Sequence, residues 1–401
     1  MKTPFFLILI FLNAEFTSAQ KFDSLALTPP MGWNSWNHFG CNVNEQLIRE
    51  TAEAMVSSGM KDAGYVYVNI DDCWHGDRDS LGFIHPNSER FPSGMKALAD
   101  YIHSLGLKIG IYSDAGWKTC AGYPGSRGHE YQDALQYAAW GIDYLKYDWC
   151  NTDGLEAVGA YLTMRNALYE AGRPIVFSLC EWGNDQPWEW GDTIGHLWRI
   201  SGDIDVCFDC KVDHGTWSSW GVLQIIDMHD GIRQYVGPDH WNDYDMMEVG
   251  NGMSTNEDRA HFSMWCMLAS PLIAGNDLRK MTPETLEILT KKEVIAVNQD
   301  PLGISTFKYD AIGKTDVWIK PMSNNEWAVC FLNRSTEPVE FIFPWKENPF
   351  NDKLSNRSAD FITEEFSIKN LWTNKTEGTT KEPMEIKIPG HDVLLLELSR
   401  K

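Results

Sequence analysis

Two acids at the ends of apolar runs carry the first chemical signal. In Leu145-Lys146-Tyr147-Asp148 the strand period of two puts Lys146 and Asp148 on one face. A nearby ammonium keeps a carboxylate ionised, and an ionised carboxylate is what a glycosyl nucleophile requires. In Trp198-Arg199-Ile200-Ser201-Gly202-Asp203 the acid follows a flexible glycine at a strand end, where it can serve as proton donor. The same arrangement recurs at Asp71 and Asp72, Asp114, Glu181, Asp243 and Asp245, and Asp277. A site lined with carboxylates and tryptophans, with few histidines, suits glycoside hydrolysis, which needs two carboxyl groups flanking an anomeric carbon. Metal hydrolysis is the competing reading, but no DxDxDG loop occurs and histidine is sparse near these ends. A nucleophilic serine is weaker still, since no GxSxG is present. No metal and no cofactor is expected.

The acids need a frame that brings strand ends to one point. Eight short apolar runs can supply it. They are Met31 to Trp33, Tyr65 to Ile70, Lys108 to Tyr112, Tyr144 to Tyr147, Ile175 to Leu179, His196 to Ser201, the run at Trp241, and Pro271 to Ala274. Helical patterns lie between them. Asn44 to Ser58 stops at Gly59, Met95 to Leu105 at Gly106, and Leu155 to Ala171 at Gly172, each glycine suiting a left-handed closing residue. Thr282-Pro283 is a cap followed by proline at the first helical position. Strands alternating with helices predict an α/β fold with a parallel sheet, and eight repeats predict a (β/α)8 TIM barrel with its site at the C-terminal strand ends. A doubly wound open sheet is the alternative, but it would not converge so many acidic strand ends. After Asn298-Gln299-Asp300-Pro301-Leu302-Gly303 the remaining strands have no intervening helices and predict a C-terminal antiparallel β-sandwich domain. The expected division is a signal peptide over 1–19, the barrel over 20–303 and the β-domain over 304–401.

Composition narrows the partners. Lys and Arg number 34 against 56 Asp and Glu, and the net charge of −22 argues against nucleic acid and anionic lipid as partners. Lys2, the apolar run Phe5 to Leu12 and the small ending Thr17-Ser18-Ala19 read as an export signal cleaved after Ala19, too short to span a bilayer. The mature chain is therefore expected to be exported, periplasmic or secreted, with no membrane insertion. Nine cysteines then sit where disulfides are allowed, and their odd number leaves at least one thiol unpaired within the chain. Cys207 and Cys210 form a CxxC near His214, but zinc would need a second ligand pair, so a local disulfide or plain thiols fit better. Asn333, Asn356 and Asn374 match the N-glycosylation pattern, which carries meaning only outside bacteria.

The segments TPPMGWNSW, NIDDCW, IGIYSDAG, KYDWC, LCEW, WRISGDI, WNDYDM, SPLIAGNDLR and NQDPLG occur in this order over residues 28 to about 303. Together they resemble the clan D α-galactosidases of glycoside hydrolase family twenty-seven. The resemblance implies a retaining, exo-acting enzyme on terminal α-galactosyl residues, with Asp148 as nucleophile and Asp203 as general acid/base. It implies that Asp71 and Asp72 hold the 4- and 6-hydroxyls, that Lys146 binds the 3- and 4-hydroxyls, and that Trp36 stacks on the sugar with Tyr112 nearby. Arg199, Glu181 and Trp182 would face the 2-hydroxyl side, Asp245 would lie near the acid/base, and Cys120 at the pocket wall. It further implies Cys41–Cys73 and Cys120–Cys150 disulfides, and leaves Cys180, Cys207, Cys210, Cys266 and Cys330 unassigned. Rival readings are an α-N-acetylgalactosaminidase, a β-L-arabinopyranosidase and a non-catalytic sugar-binding protein on the same barrel.

Overall fold

A computed structural model describes residues 21–401. The expected signal segment therefore lies outside the described residues. All eight strand candidates form strands: β1 (Met31–Asn34), β2 (Tyr67–Asn69), β3 (Lys108–Asp114), β4 (Tyr144–Asp148), β5 (Val176–Cys180), β6 (Leu197–Arg199), β7 (Trp241–Asp243) and β8 (Leu272–Ala274). They hydrogen-bond in the order β7-β6-β5-β4-β3-β2-β1-β8. Every pairing between them is parallel. The sheet closes on itself beyond β7, where Met247 pairs in parallel with Ala274 and its N–H donates to the Ile273 carbonyl. A closed parallel barrel places every strand's C-terminal end on one face, which is the geometric requirement the acids impose.

The helices stop and start for local reasons. Asn44 caps α1 (Glu45–Ser57) by accepting from Leu47 N–H, and Gly59 lies beyond its end at φ 86°. α2 (Gly94–Ser104), α3 (Glu130–Trp140) and α4 (Ala157–Glu170) pack around the sheet in turn. After β5 the strict alternation fails. Gly183, Pro187 and Gly191 punctuate that segment, and only two 3-10 turns form, Pro187–Glu189 and Gly191–Thr193. α5 (Val222–Asp227) comes after β6, and α6 (Thr255–Leu268) after β7. α6 begins with a full capping box, Ser254 and Glu257 each satisfying the other's backbone N–H. It is buried over most of its length because it lies between the barrel and the C-terminal domain. Thr282 caps α7 (Pro283–Leu289) as the Thr-Pro pair implies, and α8 (Lys292–Asn298) completes the barrel's outer layer.

The C-terminal strands β9 (Phe307–Ile312), β10 (Thr315–Pro321), β11 (Trp327–Asn333), β12 (Val339–Phe343), β13 (Phe366–Asn370), β14 (Lys375–Thr379), β15 (Met384–Ile388) and β16 (Val393–Arg400) are all antiparallel to their partners. Six form one sheet in the order β9-β10-β11-β16-β13-β14, while β12 pairs with β15 separately. An aromatic core containing Phe331, Phe343, Trp345 and Phe361 lies within this domain. Residues of alternate parity along the same strands, among them Trp318, Cys330 and Leu395, join the barrel's core instead. The domain is thus an antiparallel sandwich docked on α6 through one sheet face. Three disulfides are present, Cys41–Cys73, Cys120–Cys150 and the local Cys207–Cys210, and Cys180, Cys266 and Cys330 are free and buried.

Candidate active site

A cavity of about 850 Å³ opens at the C-terminal ends of the strands. Of the acids at strand ends, Asp71, Asp72, Asp148, Asp203 and Asp245 line it. Asp148 closes β4 at the cavity floor, in register with Asp114 of β3 and Cys180 of β5. Its Oδ1 accepts from Trp149 N–H at 2.9 Å and its Oδ2 from the Tyr112 hydroxyl at 2.9 Å. The Cys120 sulfur of the Cys120–Cys150 bridge lies 3.5 Å from the same Oδ2. Burial pushes the Asp148 carboxyl up to about 6, with Asp203 and Asp71 adding to the rise and Lys146 opposing it. Tyr112 is raised well above the usual phenol value by burial and by Asp148, so it remains a donor. Behind Asp148, burial and Asp148 itself drive Asp114 up to about 9. The chain between them is tight: a Cβ on Gly116 would lie 2.0 Å from the Cys150 carbonyl oxygen, so only glycine fits there.

Lys146 sits two residues before Asp148 and donates to Asp71 Oδ2 at 2.9 Å. Burial works against its ammonium, but Asp71 and Asp148 outweigh it and hold its pKa well above the ordinary value. Asp71 Oδ2 also accepts from Asn34 at 2.7 Å, and Asp72 Oδ2 accepts from Ala121 N–H at 2.9 Å. Both acids are buried and fixed in orientation before any sugar arrives, and Trp36 lines the same wall. Asp203 differs from Asp148 in its access to water. Its side chain is 43% exposed, and its Oδ1 accepts from Arg199 at 3.0 Å. That contrast, one carboxylate held on the floor and one reachable from solvent, suits a nucleophile and a proton shuttle.

Two residues that the resemblance places on the 2-hydroxyl side, Glu181 and Arg199, lie behind the main cavity lining. Glu181 does not line the cavity. It is fully buried, its Oε2 accepts from Asp185 N–H at 2.7 Å, and burial raises its carboxyl to about 7. It organises the loop after β5, and Trp182 of that loop, at φ 61°, is the residue turned into the cavity. Arg199 lines a small adjoining pocket together with Lys146 and Asp245, both of which also line the main cavity. Its guanidinium is buried and lies 2.7 Å from Asp245 and 3.0 Å from Asp203. Burial opposes that charge, but the two carboxylates hold it well above its usual value. Arg199 therefore holds the two acids together, beside this small pocket of about 20 Å³ that has room for a single water. Asp245, at φ 77°, shares Arg199 with Asp203 and also accepts from Ile204 N–H at 2.8 Å. Asp277 lies away from the mouth, paired with Arg279.

The cavity also holds residues that the strand-end pattern did not single out: Asn37, Asn184, Met228, and the run Thr216-Trp217-Ser218. The last belongs to a hairpin, Lys211–Asp213 with Ser218–Trp220, that comes after Asp203. Its CxxC and two tryptophans were the available signal. The candidate metal cluster of Asp114, Cys120 and Cys150 does not fit an ion, because both sulfurs are joined in a disulfide. Among the described residues no helix is long and apolar enough to cross a membrane.

Comparison with known proteins adds a separate finding. A family model described as "Alpha galactosidase A" matches residues 28–300, and one described as "Alpha galactosidase C-terminal beta sandwich domain" matches residues 312–398. The chain is 59% identical over 382 residues to α-galactosidase A of Cellvibrio japonicus, covering 95% of this chain and 94% of that protein. Its fold is similar to the crystal structure of α-galactosidase I from Mortierella vinacea, at a TM-score of 0.86 and 39% identity over 94% of this chain and 98% of the other. It is similar also to the Saccharomyces cerevisiae α-galactosidase solved with raffinose, at a TM-score of 0.88 and 31% identity over 96% of this chain and 100% of the other.

Proposed function

The chain belongs to the α-galactosidase A family of glycoside hydrolases, clan D family twenty-seven, and from that premise we propose that it removes terminal non-reducing α-galactosyl residues with retention of anomeric configuration. The observation that carries the proposal is one cavity lined by a floor-bound Asp148 and a solvent-reachable Asp203. Asp148 attacks the anomeric carbon while Asp203 gives its proton to the departing oxygen. Asp203 then takes a proton from water, which displaces Asp148 and releases galactose. Tyr112 and Trp149 N–H hold the two oxygens of the nucleophile and take up charge as it redistributes. Asp71, Asp72 and Lys146 grip ring hydroxyls, and Trp36 offers a flat apolar face. Hydrogen-bonding groups already in place reject an epimer by leaving buried polar atoms unpaired.

Galactose is preferred over N-acetylgalactosamine because Trp182 fills the space an acetamido group would need; with Glu181 out of the cavity, this preference rests on Trp182. The catalytic unit extends over 20–303 and the β-domain over 304–401. Lys2, the apolar run and the small-residue ending support removal of 1–19 and export. A panel of aryl α- and β-glycosides tests the activity. The α-galactoside should be the best substrate, with release of α-galactose as first product by NMR. Asp148→Asn should lower kcat on the order of 10⁴-fold in a folded protein. Near-normal turnover in that variant would overturn the nucleophile assignment.

A further inference from the structure

The hairpin after Asp203 holds a large apolar surface that one galactosyl ring does not account for. Trp217 is 51% exposed, yet it lines the same cavity as Asp148 and Asp203. A single exposed tryptophan is ordinary on a protein surface. This one is built into place. His214 stacks on it with ring centroids 4.0 Å apart and planes at 21°, so one indole face is backed while half of the side chain stays exposed. His214 N–H donates to the Trp217 carbonyl at 2.9 Å, and the His214 ring bonds Ser219 at 2.8 Å. Ser219 in turn donates to Asp205 Oδ2 at 2.7 Å. The Cys207–Cys210 disulfide closes the base of the loop.

The hairpin is also tied directly to the proton donor. Trp220 N–H donates to the Asp203 carbonyl at 2.9 Å, and Asp205 N–H donates to the Trp220 carbonyl at 2.8 Å. Lys211 lies 4.3 Å over the Trp220 ring and steadies it. The platform and Asp203 therefore keep a fixed relation. A departing sugar is a poor leaving group that needs its proton from Asp203, so holding that sugar beside Asp203 assists the step that limits such substrates. The cavity volume of about 850 Å³ lies in the range that accepts ligands larger than one hexose. The other strongly exposed tryptophan, Trp117, lies outside the cavity with Arg127 over its ring.

We propose that Trp217, backed by His214 and carried on the disulfide-closed hairpin, is the stacking platform for the leaving-group sugar, and that it selects α-galactosides whose leaving group is itself a sugar ring. This rests on the function proposed above and names its substrate class. Aromatic stacking on an apolar face is a rigid contact of low ordering cost, so its removal is felt directly in affinity for the group it holds.

The test compares two substrates in native protein and in Trp217→Ala, Trp217→Phe and Trp117→Ala. One is a 6-O-α-galactosyl oligosaccharide. The other is α-galactosyl fluoride, whose leaving group has no ring to stack. The ratio of kcat/KM for oligosaccharide over fluoride should fall about tenfold in Trp217→Ala and recover in large part in Trp217→Phe. It should hold at the native value in Trp117→Ala. Loss of activity in equal proportion on both substrates, or an unchanged ratio in Trp217→Ala, would overturn the platform. Native protein inert on both substrates would instead overturn the underlying α-galactosidase reading.

Discussion

At the scale of single residues, the site trades stability for chemistry. Asp148 is raised to about 6, first by burial, and the nucleophile proposed for it must be ionised to attack. Activity should therefore be lost as pH falls through about 6, and kcat/KM should show its acidic limb there. The stability sign is opposite. A carboxyl whose folded pKa exceeds its unfolded value binds protons more tightly in the fold, so its contribution improves as pH falls from about 6 toward the unfolded value. Asp148→Asn removes a buried charge, and its melting temperature should equal or exceed that of the native protein while its activity is gone. A clear drop in melting temperature would show that the ionised carboxylate holds the fold together. Glu181 offers a second check. It bonds its own loop, so Glu181→Gln should leave the ratio of α-galactoside to α-N-acetylgalactosaminide turnover unchanged, whereas Trp182→Ala should lower that ratio. Kinetics on the two aryl glycosides decides between them.

At the scale of elements, the mouth of the barrel is held by clamps between loops. The hairpin His75–Arg78 with Ile84–Pro86 comes after Asp71 and Asp72, and it is pinned to α3 by Arg78. Its guanidinium meets Asp133 in a bidentate pair at 2.6 and 2.7 Å and donates further to the Gly82 and Gly125 carbonyls. Asp133 is 1% exposed, so removing Arg78 strands a buried carboxylate. Arg78→Met should destabilise the protein by about 3–5 kcal/mol, and Arg78→Met with Asp133→Leu should recover much of that loss. Urea denaturation of the three variants measures it. The loop after β5 shows the other way to shape the mouth. Where a helix would continue the alternation, two 3-10 turns leave Trp182 free to face the cavity.

At the scale of the whole molecule, the barrel and the sandwich share a core and an unusual cation. Lys320 of β10 is 1% exposed and donates to the Val297 carbonyl at 2.7 Å and the Cys266 carbonyl at 3.3 Å. Burial lowers it to about 8. Between about 8 and the ordinary lysine value the unfolded chain binds the proton that the fold has released, so stability should rise with pH across that window. Lys320→Met should flatten that rise, by at most about 1.4 kcal/mol per pH unit. Denaturation midpoints at a series of alkaline pH values test it. Arg259 reaches Asp392 across the same interface, and Trp372 donates to Ser263 of α6 at 3.0 Å. A chain ending at Gly303 would expose α6, so it should fail to fold.

Strand number, strand ends and the acids on them were legible in the amino-acid sequence because each is a local pattern. Short apolar runs ending in Asp, and helices ending in glycine, declare themselves over a few residues. The β4 register that sets Asp148 beside Asp114 and Cys180 continues the same pattern. Side-chain direction was a different matter. Glu181 and Trp182 are adjacent, and the positive φ at Trp182 decides which one faces the cavity. Arg199 lies within reach of both Asp203 and Asp245, and no spacing in the chain encodes its meeting with Asp245. In the segment that carries Trp217 only the CxxC near His214 stood out in the sequence. The hairpin's place over Asp203 is fixed by backbone bonds between residues that only the closed barrel mouth brings together. Local periodicity determines elements, because each residue's neighbours in the chain set it. Burial and charge pairing determine which acids line the cavity and which are held behind it, because those depend on what the other strands bring into the same space.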